Sequence, residues 1–188
     1  MIIDYDTILI AFAAVFLIVN ALQLIYTKKR GTFAGETIRN RLLLWAFYGY
    51  LVFIITITLF PIAIPPYEFS FVTPRINFNM GTMFEYFTLK SGVINILGNV
   101  LLFVPYVILG KLCKIKFLDK WYYAIAASAI IICGIELLQY IEAVLRIAET
   151  PRIADINDFI LNMLGVIMGL LIYRIYISAR LRKVTINS

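Results

Sequence analysis

The feature that most constrains the fold of this chain is a series of five apolar runs, each long enough to cross a bilayer. A helix rises about 1.5 Å per residue, so roughly 20 apolar residues span the hydrocarbon core. The runs lie at residues 7–26, 42–64, 94–113, 121–141 and 157–177. They predict an all-α integral membrane protein, in which a bundle of five transmembrane helices forms a single membrane domain over residues 1–188.

Composition supports this class and excludes several kinds of chemistry. Hydrophobic residues make up 62% of the chain and charged residues only 15%, which is too apolar for a soluble domain. The chain has no histidine, so imidazole acid–base catalysis, histidine metal ligation and Ser–His triads are all excluded. The first run has an acidic flank and no small-residue cleavage site after it. We therefore predict a retained helix rather than a cleaved signal peptide.

The basic residues predict the orientation of the helices, because cytoplasmic loops of membrane proteins are enriched in Lys and Arg. Thirteen of the 17 basic residues fall in the first connection, the third connection and the C-terminal tail. This asymmetry predicts an N-terminus outside and a C-terminus in the cytoplasm. It also accounts for the net charge of +6 without a nucleic-acid partner.

Strongly polar side chains interrupt the last three runs at similar depths. They are Asn95 and Asn99 in the third run, Glu136 and Gln139 in the fourth, and Asp158 and Asn162 in the fifth. Within each pair the spacing is three or four residues, which places both side chains on one helix face. Polar groups in hydrocarbon are costly and usually face the bundle interior. We therefore predict one shared polar pocket that opens towards the outer leaflet.

Some of these residues also have simpler explanations. Asp155 can cap the fifth helix with its carboxylate, and Asn99 and Gln139 can serve as interhelical hydrogen-bonding groups. Glu136 is different, because a carboxylate at that depth needs a cation, a hydrogen-bond network or a bound proton. Arg152 is the nearest candidate cation in the sequence.

Two further features predict how the helices pack. Asp158 and Asn162 are followed at helical spacing by Gly165 and Gly169, and glycines on one face allow a neighbouring helix to approach closely. Pro105 lies inside the third run and predicts a kink, because proline removes one backbone hydrogen bond.

In order and spacing these motifs resemble those of the VanZ-like family of small bacterial membrane proteins. The matching residues are Asn99-x-x-x-Phe103-x-Pro105, Glu136-x-x-Gln139 and Arg152-x-x-Asp155-x-x-Asp158-x-x-x-Asn162-x-x-Gly165-x-x-x-Gly169. The resemblance covers about residues 42–177, and the last motif is the most specific.

Two positions depart from the family pattern. Val107 stands where the family often has a glycine two residues after the proline. Ile76-Asn77-Phe78-Asn79-Met80 stands where it often has Asn-x-x-Pro-Phe before the third span. The outer loop is therefore expected to differ in shape or ligand.

The resemblance implies a multi-pass protein of the bacterial plasma membrane that lowers susceptibility to lipoglycopeptide antibiotics such as teicoplanin. Binding of the drug and an effect on lipid-linked cell-wall precursors are both open as routes. Membrane lipids are expected partners, and neither a metal nor another cofactor is predicted. The ligand-binding candidates are the six polar residues of the three runs together with Arg152.

The main alternative is an intramembrane enzyme that acts on a lipid-linked envelope substrate. Asp155, Asp158 and Glu136 would then supply acid–base groups or bind a divalent cation, with Arg152 on a phosphate. A transporter is less well supported, because the inner halves of the last three runs lack strongly polar residues. A purely structural membrane subunit is the remaining alternative.

Overall fold

The computed structural model of the chain describes scattered positions between residues 2 and 25 and the ranges 38–63, 75–80, 90–148 and 153–186. These residues are mostly helical. Helices α1 to α5 span Ile38–Leu59, Lys90–Leu112, Lys116–Asp119, Trp121–Val144 and Ile156–Ile186. Strands β1 to β4 are two residues each, at Ile2–Ile3, Ile62–Ala63, Ile76–Asn77 and Ala154–Asp155.

Four of the described helices are long and apolar enough to cross a membrane, which identifies a multi-pass membrane protein. Their candidate spans are Arg39–Leu59, Gly92–Leu112, Trp121–Val144 and Ile156–Ala179. They correspond to the second to fifth predicted runs. The first predicted run, 7–26, lies largely outside the described residues, although those described within it are helical. The count of five helices and the orientation of the termini stay predictions.

The helix ends differ from the ends of the apolar runs for local reasons. Helix α1 ends at Leu59, although the run continues to residue 64. Pro61 explains this, because a proline disfavours helical geometry in the residue before it. Helix α5 continues past residue 177 to Ile186, since an apolar run marks the membrane portion of a helix and not its full length.

The chain divides into two compact units. The first consists of Met1–Pro74 and Leu138–Arg152. In it, β1 pairs antiparallel with β2, and the amide of Ala63 donates a hydrogen bond to the carbonyl of Ile147 at 2.7 Å. The hydroxyl groups of Thr56 and Thr58 donate to carbonyls four residues earlier in α1, so the helix satisfies them internally.

The second unit consists of Arg75–Leu137 and Ile153–Ser188, and α2 packs against α5 within it. Strand β3 pairs parallel with β4, with Ile76 opposite Ala154 and Asn77 opposite Asp155. The core side chains of this unit include Phe103, Tyr106, Val107, Ile132 and Val166, all nearly inaccessible. Many large apolar side chains of the spans are exposed, which is expected for helices that face lipid.

Candidate functional site

Helices α2 and α5 are in backbone contact along two glycines. A Cβ atom added at Gly165 would collide with the carbonyl oxygen of Val100. A Cβ added at Gly169 would lie 2.9 Å from the carbonyl oxygen of Val104. The contacts advance in the same direction along both helices, so α2 and α5 run parallel. Only glycine allows this separation, and the close approach fixes the register of the polar residues that precede it.

On the N-terminal side of this glycine contact, a hydrogen bond joins the two helices. The side-chain amide of Asn99 donates to Oδ1 of Asp158 at 2.6 Å. Asp158 lies in the first turn of α5, where the positive end of the helix dipole stabilises a carboxylate. A bond from an amide to an ionised carboxylate is stronger than a neutral one, so it orients both side chains.

Asn162 follows Asp158 by one turn on the same face of α5. Its side chain is only 4% exposed, and its Oδ1 accepts no hydrogen bond within the part of the chain that the structure describes. A buried polar atom without a partner costs about 1–3 kcal/mol. Such an atom is a signal for a bound group. We call Asn99, Asp158 and Asn162 the α2–α5 polar site.

Asp155 caps α5, and its carboxylate accepts three hydrogen bonds. Its Oδ1 accepts the backbone and side-chain N–H groups of Asn157, both at 2.9 Å. Its Oδ2 accepts the side-chain amide of Asn77 at 3.0 Å. Structural hydrogen bonds therefore use three of the roughly four acceptor sites of this carboxylate. The geometry therefore resembles the helix-capping alternative for Asp155 more than a catalytic one.

Glu136 binds the same cap from helix α4. Its Oε2 accepts the backbone N–H of Asp155 at 3.0 Å. The carboxylate thus meets a donor that the start of α5 would otherwise leave unpaired. This bond holds Glu136 at Asp155. Asp158, the charged member of the α2–α5 polar site, follows Asp155 three residues later in the chain.

The loop before α2 is fastened to the start of α5 by residues that the sequence motifs did not identify. Besides the bond from Asn77 to Asp155, the side-chain amide of Asn157 donates to the carbonyl of Asn79 at 3.0 Å. Asn77 also accepts the backbone N–H of Asn79 at 3.0 Å, as in an Asx turn. The two asparagines fall in the segment Ile76–Met80 that departs from the family pattern. That departure was the available signal.

The other predicted residues are placed as follows. Asn95 is exposed and lies one turn before Asn99. Gln139 belongs to the first unit, where its side-chain amide donates to the carbonyl of Thr58 at 2.8 Å. This bond joins α4 to α1, which is the interhelical hydrogen bond considered above as the simpler explanation of Gln139. Pro105 is half-buried inside α2. Arg152 lies outside the described residues.

Sequence reasoning also missed a buried carboxylate in the first unit. Glu142 is 6% exposed and lies near the end of α4. It follows Gln139 by three residues, so helical spacing could have identified it. It was missed because the predicted span ends at residue 141.

The described residues offer no ready metal centre. Among them, no group of three or more Cys, Asp or Glu side chains is arranged to hold a metal ion. A divalent-cation site built from Asp155, Asp158 and Glu136 therefore has no support in their geometry.

Comparison with known proteins identifies the family. No curated protein sequence and no solved structure is significantly similar to the chain. The family model described as VanZ/LLP1, however, matches residues 47–177. This range includes α2, α4 and most of α5, and with them every residue of the α2–α5 polar site. The match covers most of the chain and confirms the family predicted from the motifs: the chain belongs to the VanZ/LLP1 family.

Proposed function

We propose that this protein lowers the susceptibility of a bacterial cell to lipoglycopeptide antibiotics such as teicoplanin, and that it acts through the α2–α5 polar site. Membership of the VanZ/LLP1 family supports the phenotype. The observation that carries the site is the pair formed by Asp158, a carboxylate inside a candidate membrane span, and Asn162, whose buried oxygen has no partner among the described residues.

Two routes lead from this site to resistance. The protein can bind the drug where its acyl tail enters the outer leaflet, or it can act on the lipid-linked precursors of the cell wall. Both routes place the polar part of an amphiphile beside the first turns of α5 and its apolar part against the exposed apolar faces of the helices. The proposed location is the bacterial plasma membrane, with the site facing outward.

The geometry supports a binding role better than the enzymatic alternative. Three donors engage Asp155, and the backbone of Asp155 engages Glu136. Asp158 keeps one oxygen to which no described residue donates. Glu136 keeps one such oxygen as well. Two carboxylates without a metal group around them among the described residues are a weak basis for acid–base catalysis on a phosphate-linked substrate.

The test is protection against teicoplanin in a susceptible host that expresses the protein. We expect Asp158→Asn to lose protection, with the inhibitory concentration close to that of the empty vector, because asparagine keeps the size of the side chain and removes its charge. Arg152→Ala is expected to lose protection as well, since this arginine is a predicted ligand-binding residue. Membrane levels are measured in parallel by immunoblot.

A matched control separates the site from general damage. Asn40→Leu changes an exposed asparagine at the start of α1 and should leave protection intact. Full protection by Asp158→Asn at a normal protein level would show that the carboxylate has no functional role, and the proposed site would then be wrong.

A further inference from the structure

The α2–α5 polar site and its neighbour Glu136 contain more hydrogen-bond acceptors than donors. Asn99 donates to Oδ1 of Asp158, but no described residue donates to Oδ2. Glu136 receives the backbone N–H of Asp155 on Oε2, and no described residue donates to Oε1. The buried Oδ1 of Asn162 adds a third acceptor without a partner in the described part of the chain.

This excess of acceptors indicates which kind of ligand the site can bind. An ionised carboxylate only accepts hydrogen bonds, and a charge buried among helices needs a cation or several donors. Among the described residues, no Lys or Arg forms an ion pair with Asp158 or Glu136. An anionic group would be repelled by the carboxylate of Asp158, and the described residues offer no metal centre. The group that fits is a positive charge that also carries N–H donors.

We propose that the site binds a primary ammonium group, with Asp158 as its counter-ion and Oδ1 of Asn162 as a second acceptor. This inference rests on the proposed function and deepens it by naming the chemistry that the site recognises. An ammonium group has three donors, which matches the acceptors without partners. It can arrive on the headgroup of an ethanolamine phospholipid or on a soluble amine. Asp158 lies in the first turn of a candidate span, and the ends of a spanning helix lie near the lipid headgroups.

The experiment compares two phospholipids that differ only at the nitrogen. The full-length protein is purified in detergent and titrated with phosphatidylethanolamine or phosphatidylcholine of the same acyl chains, and bound lipid is counted by native mass spectrometry. Phosphatidylcholine has the same charges but no N–H donor. We expect the protein to prefer phosphatidylethanolamine by about tenfold, the ratio that a single charge-assisted hydrogen bond provides.

Variants locate the preference on the protein. Asp158→Asn and Asn162→Leu should each reduce the ratio of the two affinities to about one, while Asn40→Leu should keep the wild-type ratio. Equal binding of the two lipids by the wild-type protein overturns the proposal. This comparison uses only the wild-type protein, so it tests the proposal even if a variant fails to fold. A preference that survives both site variants overturns it as well.

A competition arm identifies the source of the ammonium group. Displacement of phosphatidylethanolamine by millimolar ethanolamine means that the site takes soluble amines, whereas resistance to displacement means that it takes the lipid. The teicoplanin assay on the same variants separates the two proposals. If lipid preference is absent while Asp158→Asn still abolishes protection, the ammonium inference fails and the proposed function stands. If the preference is present and depends on Asp158 but protection is unaffected, the proposed function fails.

Discussion

Asp155 and Asp158 are three residues apart at the start of α5, yet their carboxylates have different surroundings. Asp155 accepts bonds from Asn157 and from Asn77, which belongs to strand β3 and is distant in the sequence. Asp158 accepts one bond from Asn99, and the buried amide oxygen of Asn162, one turn later, has no partner among the described residues. At the scale of single residues, the first carboxylate joins parts of the fold through three hydrogen bonds, and we propose that the second binds a ligand.

This difference predicts opposite consequences for two matched substitutions. Asp155→Ala removes the cap of α5 and the anchor of Asn77, so we expect it to lower the free energy of unfolding by about 1–3 kcal/mol. Asp155→Asn keeps one acceptor for the cap and should cost less. Thermal unfolding of the detergent-solubilised protein, followed by tryptophan fluorescence, measures both.

The counterpart at Asp158 provides the contrast. Asp158→Asn should unfold close to the wild-type temperature while it loses protection against teicoplanin. An unchanged unfolding temperature for Asp155→Ala would contradict the structural role of that carboxylate.

At the scale of helices, the glycine contact between α2 and α5 sets the position of the polar site. The sequence predicted the close approach, because Gly165 and Gly169 continue the stripe that begins at Asp158. It did not predict which helix approaches. The structure identifies it as α2, through the carbonyl oxygens of Val100 and Val104.

Alanine substitutions test this contact. Gly165→Ala should destabilise the protein by about 1–3 kcal/mol, because the added methyl group meets backbone rather than a flexible side chain. Gly169→Ala should be milder, since its nearest atoms are at 2.9 and 3.0 Å. The matched controls are Gly98→Ala and Gly134→Ala, whose added Cβ would meet nothing within 4 Å. These should be neutral or slightly stabilising, because alanine favours helix. Equal unfolding temperatures for Gly165→Ala and Gly134→Ala would rule out the backbone contact.

The limits of sequence reasoning also appear at this scale. Helical spacing predicted which face of its helix each of Asn99 and Asp158 occupies. Such a prediction is possible because periodicity along one helix is a local property of the sequence. The partners of Asp155 and Asn157 are different in kind. Asn77 and Asn79 lie 78 positions earlier in the chain, and no local pattern connects them to α5. Asn95 shows a further limit. It shares a face with Asn99, but its side chain is exposed.

At the scale of the whole molecule, the apolar runs predicted four described spans, and the motifs predicted the family. Apolar length is a reliable signal because the bilayer imposes it on every spanning helix. The orientation of the spans depends on the difference between the two sides of the membrane, which is not a property of the chain itself. The sequence carries it only as the asymmetry of Lys and Arg.

The last prediction therefore concerns orientation, and the outward-facing site depends on it. Both native cysteines, Cys113 and Cys133, are first replaced by alanine. Single cysteines are then introduced and labelled in intact cells with a membrane-impermeant maleimide. Arg146→Cys and Ser70→Cys should be labelled, whereas Arg30→Cys and Lys116→Cys should be labelled only after the membrane is permeabilised. The reason is that 13 of the 17 basic residues lie on the side predicted to be cytoplasmic.

Two of these positions allow a direct comparison, because Arg146 and Lys116 are both exposed and lie beyond opposite ends of α4. Differences in their labelling therefore report the side of the membrane and not burial. Labelling of Lys116→Cys but not of Arg146→Cys in intact cells would invert the topology. The α2–α5 polar site lies at the Arg146 end of α4, since Glu136 in the second half of α4 binds the start of α5. An inverted topology would place the site in the inner leaflet, out of reach of an antibiotic that acts from outside.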